Sequence, residues 1–78
     1  MKYYKDEGVN KNSYEMIQYN DITGDILRVE GFKSNEGNYY MISNDFVDRD
    51  LFKDNYYKPI QRKTFEKYYK FTYNKLKK

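Results

Sequence analysis

Acid–base chemistry in this chain falls to Asp, Glu, Lys and Tyr, because it contains no His and no Cys. The missing His removes the side chain that most often serves as general base and transition-metal ligand. The missing Cys removes thiolate nucleophiles, disulfides and Cys-based zinc or iron–sulfur sites. Asp21 and Asp25 flank a turn, where two close carboxylates could assist a hydrolysis. Aspartates also open turns by accepting backbone N–H bonds, and that role suits their surroundings better. Asp45, Asp48, Asp50 and Asp54 form the densest acidic cluster. A calcium loop needs a Gly at its bend and a distal Glu. Asn44–Asp50 has no Gly, and Arg49 and Lys53 offer partners, so a solvated acidic loop is expected. The expectation is a protein that is not an enzyme, with no metal and no cofactor.

Two features remain with chemistry to offer. Lys63, Lys67, Lys70, Lys77 and Lys78 recur on one side of a helical C-terminal segment. Such a row can neutralise phosphates in a sequence-tolerant, salt-sensitive way. It can equally be a solvated helix exterior, or meet an acidic protein. Arg62 alone stands at its edge, so base-edge readout, which relies mostly on Arg, Asn and Gln, is not supported. The second feature is aromatic: 11 Tyr and 5 Phe, with no Trp. A core of this size encloses about ten large side chains, as surface-to-volume scaling and packing density permit, so some must lie outside. The adjacent pairs Tyr3-Tyr4, Tyr39-Tyr40 and Tyr56-Tyr57 must split across a strand. Tyr39, Tyr56 and Tyr3 are the expected outward members. Phe71 falls toward the polar side of the helix, where a core residue would not be placed. Exposed Tyr near charge suits a protein-binding hot spot, and also a base-stacking platform.

These residues need a scaffold, and 78 residues provide for one domain, 1–78. Residues 1–57 carry seven Lys/Arg against eleven Asp/Glu, a net of −4; residues 58–78 carry eight against Glu66 alone, a net of +7. An acidic, β-rich body over 1–60 and a basic helix over 61–78 follow from this asymmetry. Lys2–Lys5, Tyr14–Tyr19, Ile26–Phe32 and Tyr39–Ser43 read as strands cut by turn residues, with Gly24 supplying a positive φ. Leu27 and Val29 share one face, Arg28 and Glu30 the other. Asn44–Asp54 suits a helical turn or compact loop, and Tyr56–Lys58 a last short strand closed by Pro59. Pro59 biases its predecessor away from helix, which places the helix at Arg62–Leu76 with Gln61 or Thr64 as a weak cap. Tyr69, Thr72 and Leu76 fall within about 40° of Phe65 on the helical wheel. The expected core is Ile17, Tyr19, Leu27, Val29, Tyr40, Ile42, Phe65, Tyr69 and Leu76. Met16 and Ile17 are adjacent apolar residues and leave the face of their strand open.

The layout Tyr14–Tyr19, Thr23-Gly24-Asp25, Ile26–Phe32, Tyr39–Ser43, Phe46–Phe52 and Tyr56–Ile60 resembles small SH3-like barrels. The expected fold is therefore α+β: a small, strongly bent antiparallel sheet, SH3-like if it closes, with one C-terminal amphipathic helix. Lys, Asn, Tyr, Ile and Phe, all with A/T-rich codons, make up over half the chain, and Ala is absent. In size, codon bias and lack of catalytic residues the chain is similar to small orphan proteins of phages and mobile elements of low-GC bacteria. Inhibitors of host defence, anti-CRISPR proteins among them, are common in that group. The resemblance implies a non-catalytic binder of a larger host protein or ribonucleoprotein complex, though a net basic chain departs from simple mimicry of a nucleic acid. The alternative is a nucleic-acid-binding accessory protein using the lysine face. No apolar run approaches the roughly 18 residues of a membrane span, and Met1–Glu7 is unlike a signal peptide. A cytoplasmic protein is expected, without membrane contact, since the helix needs its apolar face for the core. Surplus aromatic surface leaves room for a homodimer.

Overall fold

A computed structural model describes residues 1–7, 11–46 and 57–77. Five strands, β1 (Lys2–Asp6), β2 (Ser13–Tyr19), β3 (Asp25–Ser34), β4 (Gly37–Phe46) and β5 (Tyr57–Pro59), precede one helix, α1 (Arg62–Leu76). The sheet is antiparallel throughout, in the order β4-β3-β2-β1-β5. It is open, with β4 and β5 at its edges, so the SH3-like closure does not occur. The α+β class and the helix bounds are as the sequence predicts.

The turns set the register. In the β2–β3 turn Asn20 Oδ1 accepts the N–H groups of Ile22 and Thr23 at 3.0 and 3.2 Å, and Gly24 takes φ 84°. This aligns Tyr19 with Ile26, Met16 with Val29 and Glu15 with Glu30. The β3–β4 turn is tighter than expected: Ser34 pairs with Gly37, and the Ser34 hydroxyl donates to the Gly37 carbonyl at 2.8 Å. Both strands are lengthened as a result. β4 runs on through Asn44–Phe46, where the sequence suggests a helical turn; Leu27, Ile26 and Asp25 give those residues a ladder to follow. The rest of that expected turn, Val47–Asp54, lies outside the described residues.

Both faces of the sheet are packed. Met16 and Val29 meet Phe65 of α1, with Leu27, Ile42, Tyr3, Tyr14 and Ile60 around them. On the reverse, Ile17, Tyr19 and Ile26 cluster with Tyr4 and Tyr57. Met16 and Ile17 are therefore both core, one on each face. Ile17, Val29 and Thr72 are fully buried. Leu76 is a correction: it is 47% exposed, because it lies at the last helical turn, beyond the centre of the sheet's packing. Gln61 occupies the N-cap without a side-chain bond, and Arg62 pairs with Glu66 at 2.8 Å one turn on. Among the described residues no helix is long and apolar enough to cross a membrane.

Candidate binding surface

Tyr14 begins the site. It lies on β2 directly across from Gly31 of β3, and its ring rests where a side chain at Gly31 would project. Only a residue without a Cβ leaves that space. The phenol then reaches α1, where Tyr14 Oη and Thr72 Oγ1 share a hydrogen bond, and burial pushes the Tyr14 hydroxyl above its ordinary pKa. Tyr68 packs against the same ring at 4.9 Å between centroids. Phe71 stands one turn along, edge-on to Tyr40 at 6.1 Å, with the Lys75 ammonium 5.5 Å from its ring centre.

Together these rings wall a groove of about 290 Å³ between the sheet and α1, with Lys11 and Lys33 on its rim. A smaller, almost wholly apolar recess of about 190 Å³ opens beside it between Tyr14, Tyr68 and Phe71, and Lys67 is its fourth wall. Lys11, Lys33 and Lys67 are exposed, and none has a salt bridge among the described residues. The site therefore offers an aromatic slot ringed by exposed ammonium groups. It can take a flat or apolar group attached to negative charge.

The residues expected from sequence distribute unevenly around it. Phe71 is 44% exposed and lines both cavities, and Lys67 lines the smaller one. Tyr39 is exposed as expected, but it projects from the other face of the sheet, where it pairs in register with Phe32 and its hydroxyl donates to Met41 Sδ at 3.2 Å. Tyr3 is a correction: it is half-buried, 5.4 Å from Phe65, because both faces of β1 are covered and neither Tyr of the Tyr3-Tyr4 pair is left outward. Lys63 and Lys70 are exposed on the helix back, away from the groove lining. Lys77 lies over Tyr73 at 4.9 Å from its centroid. Tyr56 and Lys78 lie outside the described residues. The sequence places Tyr40 in the core rather than at a site, and it does not mark Tyr14, Tyr68, Lys11 or Lys33; Gly31, sitting inside a strand, is the signal that a ring crosses the backbone there.

A second polar group occupies the reverse face. Glu15 and Glu30 are directly opposed across β2 and β3, and Arg28 Nε lies 4.0 Å from a carboxylate oxygen of each. Arg28 Nη1 is also 3.7 Å from Asp45, and Tyr57 donates to Glu15 at 3.2 Å. Burial, then the hydrogen bond to Glu30, push Glu15 up to about 7, against the pull of Arg28. Burial and the Glu15 charge push Tyr57 up to about 12. This group can hold a proton near neutrality, and its side chains contact one another across the sheet. Asp45, from the expected acidic loop, is engaged by Arg28 and by the Ser43 hydroxyl. Asp25 accepts from Thr23 at 2.9 Å, in keeping with a turn role. Asp48, Asp50 and Asp54 lie outside the described residues.

Against models of protein families, curated proteins and solved structures, the chain finds no match.

Proposed function

We propose that the chain is a non-catalytic protein-binding domain whose working surface is the groove between α1 and the β2–β3–β4 face. The observation that carries this reading is the apolar recess of Tyr14, Tyr68 and Phe71 with Lys67, Lys11 and Lys33 about it, unpaired among the described residues. Aromatic anchors held by a rigid scaffold are the usual centre of a protein hot spot. The lysines select an acidic stretch on the partner and steer its approach. In the setting suggested by its size and codon usage, the partner is a larger host complex whose functional surface the domain occupies as an inhibitor.

The immobilised protein, incubated with lysate of a low-GC bacterium with and without nuclease, tests this. One stoichiometric protein should be retained under both conditions, and Phe71→Ala should lose it while keeping the fold. Retention that vanishes after nuclease would refute the protein reading. It would favour the second one, a nucleic-acid accessory role, for which Lys63, Lys67 and Lys70 are the motive because they are exposed and unpaired among the described residues.

A further inference from the structure

The two edges of the sheet differ in how they are protected. β5 is three residues long and contains Lys58 and Pro59, and Pro cannot donate to a further strand. β4 is ten residues long, and from Gly37 to Asn44 it has no Pro and no charged residue. Among the described residues nothing pairs with its outer side. An uncharged, regular edge of this length is a template for another strand.

We propose that this edge pairs antiparallel with β4 of a second copy, about a two-fold axis at Met41, giving one continuous ten-stranded sheet. The strand is self-complementary in that register. Tyr40 lies opposite Ile42 of the partner subunit, and the reverse, which makes two aromatic–β-branched cross-strand pairs. Met41 meets the partner's Met41 on the other face, Tyr39 meets the partner's Ser43, and no like charges are opposed over the uncharged stretch. A two-fold normal to the sheet keeps both helices on the same side. There a largely apolar groove of about 270 Å³, lined by Ile42, Tyr69, Tyr73 and Leu76 with Lys77 as its one charged member, runs along the same edge. Tyr73 and Leu76, exposed in the single chain, roof the seam when two copies meet. Strand pairing alone buries too little for a stable dimer, and this apolar overhang adds to it. The uncharged edge also argues for a second copy over an acidic partner, which the lysine-ringed groove suits. The seam does not depend on the groove reading.

Sedimentation equilibrium from micromolar to near-millimolar protein should show a monomer–dimer equilibrium. Met41→Lys and Met41→Glu place like charges opposite each other on the axis, and each should weaken the dimer by at least about tenfold. An equimolar mixture of the two variants should form the mixed dimer, which a misfolded variant could not do. In the unmodified protein, hydrogen-exchange protection of β4 amides should rise with concentration. A chain that stays monomeric throughout would overturn the proposal. So would variants that dimerise as tightly as the parent, a mixture that fails to pair, or β4 protection indifferent to concentration.

Discussion

Gly31 decides where Tyr14 lies, and through it where the groove has a floor. A methyl at Gly31 would meet the Tyr14 ring, which is held by Thr72 and Tyr68 and cannot move aside without breaking both contacts. Gly31→Ala should cost about 1–3 kcal/mol of stability and lower partner affinity, whereas a methyl on a strand normally stabilises; urea denaturation and calorimetric titration measure the two effects. Glu15 carries a different prediction. Unfolded, it titrates near its ordinary value of 4.5; folded, it keeps its proton to about 7. Between those values the folded state binds more protons, so stability is greatest at the acid end and is lost as pH rises through 7. The loss should be of order 1–2 kcal/mol, allowing for the partial solvation of the pair, and Glu15→Gln should flatten the profile of unfolding free energy between pH 5 and 8. The opposition of Glu15 and Glu30 was implicit in the sequence, since a hairpin closed at Tyr19 and Ile26 pairs every residue whose number complements it. What the residue types could not reveal was the burial, which depends on the packing of the reverse face.

At the scale of elements, α1 crosses the strands. Phe65 meets Tyr3 of β1, Thr72 meets Tyr14 of β2, and Phe71 meets Tyr40 of β4. Its bounds were legible because Pro59 sets the start and the 3.6-residue repeat sets the buried stripe, with Phe65 and Thr72 buried. The wheel has no knowledge of where the sheet beneath it ends, so it puts Leu76 inside although the residue is 47% exposed. Phe71, the misfit on the wheel, turned out to mark a cavity wall. The Tyr39-Tyr40 split was readable from strand alternation, but Tyr3-Tyr4 was not, since that inference assumes one wet face. The lysine row also divides once the helix is placed. Lys67 lines the recess, while Lys63 and Lys70 do not. Lys67→Glu alone should therefore weaken binding of an acidic partner by about 1–2 kcal/mol at low salt, and Lys63→Glu or Lys70→Glu by less than about 0.5 kcal/mol. If all three contribute equally and affinity falls with salt at about −0.9 per neutralised phosphate, the ligand is a duplex nucleic acid.

For the molecule as a whole, the acidic body and basic helix place opposite charge at the two ends of the chain, and the helix with its positive rim lies across one face of the sheet. β1, although first in the chain, is an interior strand: β2 flanks it on one side and β5, more than fifty residues later, on the other. Translation therefore delivers the fold in an awkward order. The β1–β4 meander can pair as soon as it emerges, but its helix-facing side chains, Tyr3, Met16 and Val29, stay uncovered until α1 has left the ribosome. A nascent chain arrested just after β4 should be held by ribosome-associated chaperones and cut readily by protease, while one extended until α1 is free should resist both. Protease pulses on ribosome-bound chains of graded length measure this, and early resistance before α1 emerges would contradict it. Maturation of this design is set by the arrival of α1, and the cell must shelter the uncovered sheet until that helix appears.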